Sequence, residues 1–501
     1  MDVFYSALEQ VFRPDVLLII IGSSIYGIVI GAIPGLTATM GTALLVPLTF
    51  FMDPVPAIGA IVSATTMAIF AGDIPGALLR IPGTPASAAY TDEAYKMREK
   101  GLVELALGTN VICSMIGGLV GVLVLVIAAP QIAEFSLMFS SYEYFWLAVL
   151  GLSCAIMVSR GSAIKSTLSL TIGLILSMIG IDVVMGIKRF TFGDTELVGG
   201  ISIIPTLIGM FAITEILRKI GELRELPPVP PVHISRMMSG VGSTIWKYKG
   251  GVARSSILGT MIGALPGAGA DIAAWVAYAV SKKFSKTPEK YGEGHIEGII
   301  SASSANNAAL SGAYVPTLVF GIPGDTITAI LIGVLLMKGI TPGPMVFVMD
   351  AGLVNAIFMV FVLANLIMVP IGVGAVMASR HVLGIPQAIL FPIILLFCVI
   401  GAYAANNTLF DVWVMLVVGL IAYVLEENDF PLAPMILALI LGPLIEENFM
   451  KSMIKADGHL IEFFSRPVSG TLGVATLTIW ALMVFMSLRH AKRKKTASLP
   501  S

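Results

Sequence analysis

Four ionisable residues, Asp73, Arg80, Asp271 and Asp325, fall in stretches that hydropathy places inside a membrane. Charges there are costly, are paired or face a cavity, and mark functional sites by default. Arg80 offers a guanidinium fork that matches a carboxylate through two parallel hydrogen bonds. Asp73, seven residues or about two turns earlier, is the alternative partner, which leaves Arg80 open between substrate and scaffold. Ser301, Ser303, Ser304, Asn306 and Asn307 make the most polar stretch of any apolar segment. Hydroxyl and amide oxygens of this kind suit a desolvated hard cation, or they join helices as hydrogen-bond glue. The expected ion-coupling residues are therefore Ser303, Ser304, Asn306, Asn307, Asp73, Asp271 and Asp325, with Na+ a candidate at Asn306 and Asn307; no cofactor is expected, and the coupling ion is Na+ or H+. Ser63, Thr65 and Thr66 hold the corresponding place earlier in the chain.

These residues flank a pattern that occurs twice. GIVIGAIPGLTATMG (27–41) precedes FAGDIPGALLRIPGTPASAA (70–89), and GTMIGALPGAGADIAAW (259–275) precedes a stretch containing GIPGDTITA (321–329). Gly27, Gly31, Pro34 and Gly35 lie 232 positions before Gly259, Gly263, Pro266 and Gly267, whereas Pro75, Pro82 and Gly83 lie 241 before Pro316, Pro323 and Gly324. The nine extra residues belong to the polar loop KTPEKYGEG (286–294). Pro-Gly inside an apolar run stops a helix by removing a donor and admitting strained dihedrals. In a bilayer the freed backbone groups are tolerated only against protein or a water-filled cavity. Each following half-helix presents unpaired N–H groups and a positive dipole end, which suits a carboxylate. Arg80, Gly83, Thr84, Ser87, Gly35, Gly267, Gly324 and Thr326 are accordingly the expected substrate-binding residues.

The elements that must position them are helices. The chain has 501 residues, 56% of them hydrophobic and only 12% charged, against about a quarter charged in soluble domains. Residues 105–133 and 351–379 are each free of charge for 29 positions, longer than the roughly 20 that a spanning helix needs. The pattern predicts an all-α polytopic membrane protein of roughly 12 to 15 membrane segments, some of them helical hairpins. The expected division is a first membrane repeat over 1–217, a cytoplasmic linker over 218–254 carrying seven Lys or Arg and the PPVPP run, a second repeat over 255–445, and an extra span with a basic tail over 446–501. Counting basic loops from RHAKRKK (489–495) as cytoplasmic puts 338–350 and Asp53 outside, and 96–100, 218–254 and 282–290 inside. The two repeats then have opposite topology. The N-terminus lacks the basic region and cleavage site of a signal peptide and is expected to be mature.

Interrupted hydrophobic segments at matching places in two halves point to a secondary transporter. Rival readings are an intramembrane enzyme and a passive anion channel. All five histidines fall in loops or at segment ends, which leaves no buried general base, and a duplicated site with helix breaks does not read as a continuous pore. Cys113, Cys154 and Cys398 lack metal or disulfide spacing. No Gly-Lys dipeptide occurs, so there is no P-loop, and the basic linker reads as a topology signal, with no nucleic-acid partner.

GAIPG, RIPGTPASAA with MREKG, GTMIGALPGAGA, SSANNAA, GIPGDTITA and ITPGP together resemble the large membrane subunit of the bacterial tripartite tricarboxylate transporters. The likeness runs from about residue 20 to 445. It implies import of citrate or another small carboxylate on an ion gradient, across the bacterial inner membrane. It also implies two partners, a small four-helix membrane subunit and a periplasmic solute-binding protein. The sequence departs from the commoner pattern where Ala71, Gly72 and Asp73 replace Gly-Gly-Ser, Arg80 replaces Asn, Ser303 replaces Glu and Asp325 replaces a small residue.

Overall fold

The computed structural model describes residues 2–159, 162–182, 184–220, 237–384 and 387–497. The PPVPP run of the linker lies outside them. Among the described residues, nine helices are long and apolar enough to cross a membrane, and Ala38–Thr49, Ala163–Ser177 and Thr326–Met337 are shorter apolar ones. The protein is thus all-α and polytopic. The described β structure is one antiparallel pairing of Gly180–Ile181 with Lys188–Arg189.

In chain order the first repeat holds α1 (Asp2–Val11), α2 (Pro14–Ala32), α3 (Ala38–Thr49), α4 (Pro54–Ala71), α5 (Asp73–Leu79), α6 (Thr91–Glu99), α7 (Val103–Ser136), α8 (Ser141–Val158) and α9 (Ala163–Ser177). It closes with α10 (Ile203–Ile208), a π-helical turn at Gly209–Ile213, and α11 (Thr214–Ile220). Within the stretch expected as a linker, α12 (Val241–Lys247) and the start of α13 (Lys249–Gly263) are helical, with Met237 and Val241 buried, and α14 (Gly269–Phe284), α15 (Ile296–Phe320) and α16 (Thr326–Met337) follow. The chain continues through α17 (Val346–Met349), α18 (Ala351–Val382), α19 (Gln387–Asn406), α20 (Leu409–Glu427), α21 (Leu432–Lys455) and α22 (Pro467–Ala497).

The sequence breaks are structural breaks. Thr37 starts α3 by accepting a hydrogen bond from the Met40 N–H at 3.1 Å, a side-chain cap for a donor that the helix itself leaves unpaired. A further interruption, which the sequence reading ran through, separates α4 from α5 at Gly72. Pro75 has no N–H to give Ala71, and its ring crowds that carbonyl. Its counterpart Pro316 is carried inside the continuous α15, where Ala313 stands in place of Gly72.

The chain divides into two compact units, one of residues 1–134 with 204–423 and the other of 135–203 with 424–501. The division expected from the sequence follows the duplication instead. In the first unit, apolar side chains of α5, α6, α7, α15 and α18 meet around Phe70, Ile74, Leu107, Ile299 and Met368. A second cluster joins Met40 to Ile208, Ile213, Phe391 and Met415. The second unit is stitched by Arg189, forked onto Glu446 at 2.6 and 2.8 Å, and by Arg466 on Glu143 at 2.9 Å. Trp146 adds an indole N–H donated to the Phe463 carbonyl at 3.0 Å.

The duplication reappears as packing. A Cβ on Gly27 would stand 2.1 Å from the Ala64 carbonyl oxygen, and one on Gly31 would stand 2.2 Å from that of Ala68. On Gly259 and Gly263 it would stand 2.3 and 2.1 Å from the carbonyl oxygens of Ala305 and Ala309. The glycines are 232 positions apart and the alanines 241. Helices α2 and α4 therefore touch backbone to backbone at the residues by which α13 and α15 touch, as small residues permit in a membrane.

Candidate functional site

The two copies meet at their interruptions. At the N-terminus of α3, Thr39 shares a 3.0 Å hydrogen bond with Thr326 at the N-terminus of α16. Shifted by the repeat offsets, Thr39 becomes Asp271 and Thr326 becomes Pro85. That is where the second contact lies: Trp275, one turn beyond Asp271 on α14, donates its indole N–H to the Pro85 carbonyl at 3.1 Å. The breaks thus pair crosswise, each copy's arm against the other copy's interruption. Between them the Asn307 amide N–H reaches the Thr66 carbonyl at 3.4 Å. Residues 66 and 307 are themselves counterparts under the repeat offset, so each copy meets the other here at the same place in its sequence.

After the Pro82 and Pro323 breaks the chain's own side chains take up freed backbone N–H groups, whereas Ala268 gives α14 no side-chain cap. The Asp325 carboxylate accepts from the Thr328 N–H and from its hydroxyl, both at 2.8 Å, and Thr328 Oγ1 accepts in turn from the Asp325 N–H at 2.9 Å. This capping box places an internal carboxylate where the sequence suggested a bound one. In the first copy Thr84 and Ser87 reciprocate, each backbone N–H donating to the other's hydroxyl at 3.1 Å. Gly83 donates to the Gly72 carbonyl at 3.0 Å, and Gly267 donates to that of Gly324 at 2.7 Å. Gly35 and Gly267 both have positive φ, 94° and 82°. The stem of Lys219, which the sequence reading left to the linker, comes within 3.1 Å of where a Gly35 Cβ would be.

Arg80 does not meet Asp73. The helix ends at Leu79, Arg80 takes a left-handed conformation with φ 62°, and its guanidinium pairs with Asp92 at 2.8 Å with both side chains more than half exposed. The buried guanidinium expected from the sequence is therefore an exposed one. Gly321, its counterpart, ends α15 in the same conformation at φ 68°. The N–H groups of Arg80 and Ile81 bond the carbonyls of Gly76 and Pro75, as those of Gly321 and Ile322 bond Thr317 and Pro316. Asp271 lies exposed in the first turn of α14.

Asp73 is buried, and its carboxylate accepts from the Asn110 amide of α7 at 2.9 Å. Tyr90, just past the first-copy break, brings its hydroxyl beside both Asp73 and Asn306. Ser303 spends its hydroxyl on the Ile299 carbonyl one turn back, at 2.7 Å. Ser304 brings its hydroxyl beside the Cys113 thiol of α7. Tyr90 and Asn110 were missed by the sequence reading. A lone asparagine in the charge-free run 105–133 was the available signal, since an uncompensated amide is costly in hydrocarbon.

Outside the membrane segments, Glu93 of α6 ties the copies together. Its carboxylate accepts from the N–H groups of Gly292, Gly294 and His295 at 2.5, 2.7 and 2.7 Å, and from the Tyr278 hydroxyl at 2.8 Å. Lys96 pairs with Glu293 at 2.9 Å and holds that carboxyl below its ordinary range.

Fold and site define a duplicated, multi-pass helical membrane protein whose interrupted segments meet across the repeat. The chain belongs to the tripartite tricarboxylate transporter TctA family, whose model matches residues 17–437, and is of the large-subunit type of that transporter. It is 34% identical over 475 residues, 93% of each chain, to a protein of Agrobacterium vitis described as an uncharacterized 52.8 kDa protein in the TAR-I ttuC' 3' region. A second relative from that organism, described as an uncharacterized protein in the TAR-II ttuC' 3' region, is 36% identical over 234 residues, 47% of this chain and 97% of its own. No solved structure matches the chain.

Proposed function

We propose that this chain is the transport subunit of an ion-gradient-driven importer of a small di- or tricarboxylate. A periplasmic solute-binding protein delivers the substrate, and a small four-helix membrane subunit completes the complex in the bacterial inner membrane, with the C-terminus cytoplasmic. The crosswise pairing of the breaks carries this reading. An inverted pair of repeats whose discontinuous helices meet near the midplane is the recurrent plan of alternating access, in which one repeat rocks or slides against the other. Substrate contacts are assigned to Arg80, Gly83, Thr84, Ser87, Gly35, Gly267, Gly324 and Thr326, around the four interruptions. Ion coupling is assigned to the polar face of α15 with Asp73 and Asp325.

The test is uptake of labelled citrate and other di- and tricarboxylates into proteoliposomes holding the chain with its membrane partner, binding protein being supplied outside. Accumulation should require an inward sodium or proton gradient. Uptake that only equilibrates the substrate, indifferent to either gradient, would assign a passive channel.

A further inference from the structure

We propose that Asp73, Tyr90, Asn110 and Asn306 form the binding site for one sodium ion; its role in transport rests on the ion-coupled reading above. The four side chains are 5%, 2%, 2% and 1% exposed. One hydrogen bond, from Asn110 to Asp73 Oδ2, is made within the set. Asp73 Oδ1, Asn110 Oδ1 and both polar atoms of the Asn306 amide lack a well-formed hydrogen bond to the protein, and the Tyr90 hydroxyl stands beside Asp73 and Asn306 without meeting hydrogen-bond geometry. Among the described residues no Lys, Arg or His forms an ion pair with Asp73.

A buried carboxylate without a basic partner has to be neutralised. With a proton on Asp73, the Asp73 and Tyr90 hydroxyls would each serve one amide oxygen, so hydrogen bonding permits a proton as well as a cation, and the experiment below separates the two. A cation draws on the carboxylate, amide and phenol oxygens together. No group of three or more His, Cys, Asp and Glu converges among the described residues, and a single carboxylate with neutral oxygens suits a monovalent hard ion rather than a soft or divalent one.

The site exists once. Under the repeat offset Asp73 corresponds to Tyr314, Tyr90 to Leu331 and Asn306 to Thr65, so the second copy has no equivalent. It also straddles the duplication, with three ligands from the first copy and Asn306 from the second. An ion held there favours the arrangement in which the copies touch, and it shifts the equilibrium between access states by its differential affinity.

The experiment is equilibrium binding of radioactive sodium to the full-length chain in nanodiscs, with choline replacing sodium, alongside thermal unfolding in each salt. One saturable site per chain and a sodium-specific rise in melting temperature are expected. Asp73→Asn and Asn306→Ala should each weaken binding by about tenfold or more, and Tyr90→Phe, which removes one oxygen and keeps the shape, by about threefold. The exchange Asp73→Asn with Asn306→Asp returns a carboxylate to the set and should recover affinity, which separates ligand loss from misfolding. Unchanged sodium affinity in a cooperatively melting Asp73→Asn variant would overturn the site. So would the absence of saturable sodium binding together with a pH-dependent stability that Asp73→Asn abolishes, the behaviour of a proton site. Sodium binding that Asp73→Asn removes, in a complex that accumulates no carboxylate, would leave this site standing and overturn the transport reading instead.

Discussion

Arg80 holds a backbone conformation that its repeat counterpart gives to Gly321. A side chain there costs about 1–2 kcal/mol, and an exposed ion pair such as that with Asp92 returns about 1 kcal/mol at most. The Arg80 guanidinium also lies over the Tyr95 ring at 5.8 Å, a contact worth about 0.5–1 kcal/mol at an exposed site, so the local terms nearly cancel and the proposed substrate role is tested by transport. Arg80→Gly is expected to change stability by less than about 1 kcal/mol, relieved strain offsetting the lost contacts, and to cut carboxylate uptake, whereas Arg80→Lys should retain the strain and raise KM. Melting temperature and initial uptake rates check both, and unaltered transport in Arg80→Gly would confine Arg80 to its bond with Asp92. The residue was legible in the sequence as an unusual charge, but its partner was not. The seven-residue spacing to Asp73 implies a shared face only while the helix lasts, and the left-handed turn after Leu79 sends the side chain elsewhere. Asp73 meets Asn110 instead, a contact 37 positions away that no local periodicity encodes.

At the scale of elements, proline and glycine announced where helices stop, because both act on the backbone itself. They did not distinguish Pro75, which accompanies a break at Gly72, from Pro316, which α15 absorbs. That outcome depends on neighbours such as Gly83, whose N–H takes up the Gly72 carbonyl. The glycines facing Ala68 and Ala309 lead to a paired prediction. A methyl on Gly31 or Gly263 would meet backbone, which cannot turn aside, so Gly31→Ala and Gly263→Ala should each destabilise by about 1–3 kcal/mol. Gly22, on the same helix as Gly31, has open space around it, and Gly22→Ala should stabilise by about 0.5–1 kcal/mol. Thermal unfolding of the three variants in one detergent checks the contrast, and equal effects at Gly22 and Gly31 would contradict the packing.

For the whole molecule, the duplication could be read from two numerical offsets, and the same offsets recur in helix packing and in the contacts between breaks. The compact units could not be read this way. Arg189 with Glu446 and Trp146 with Phe463 join positions more than 250 apart, with no pattern in the intervening chain. The opposite topology expected of the repeats is tested by counterpart residues. Phe51 and Lys283 are 232 apart, each exposed at the end of an equivalent arm. With the native cysteines replaced, Phe51→Cys should react with an impermeant thiol reagent outside intact cells, and Lys283→Cys should react only after permeabilisation. Labelling of both from outside would make the repeats parallel.

The contact of Thr66 with its own counterpart Asn307 is what a subunit interface shows where a symmetry axis crosses it. Each copy's interruptions rest on the other copy, so a chain with one copy finds these partners only in a second molecule. Covalent joining of the copies lets each carry its own residues at matching places: Asp73 and Asn306 stand opposite Tyr314 and Thr65, an asymmetry that a homodimer of identical chains has no access to.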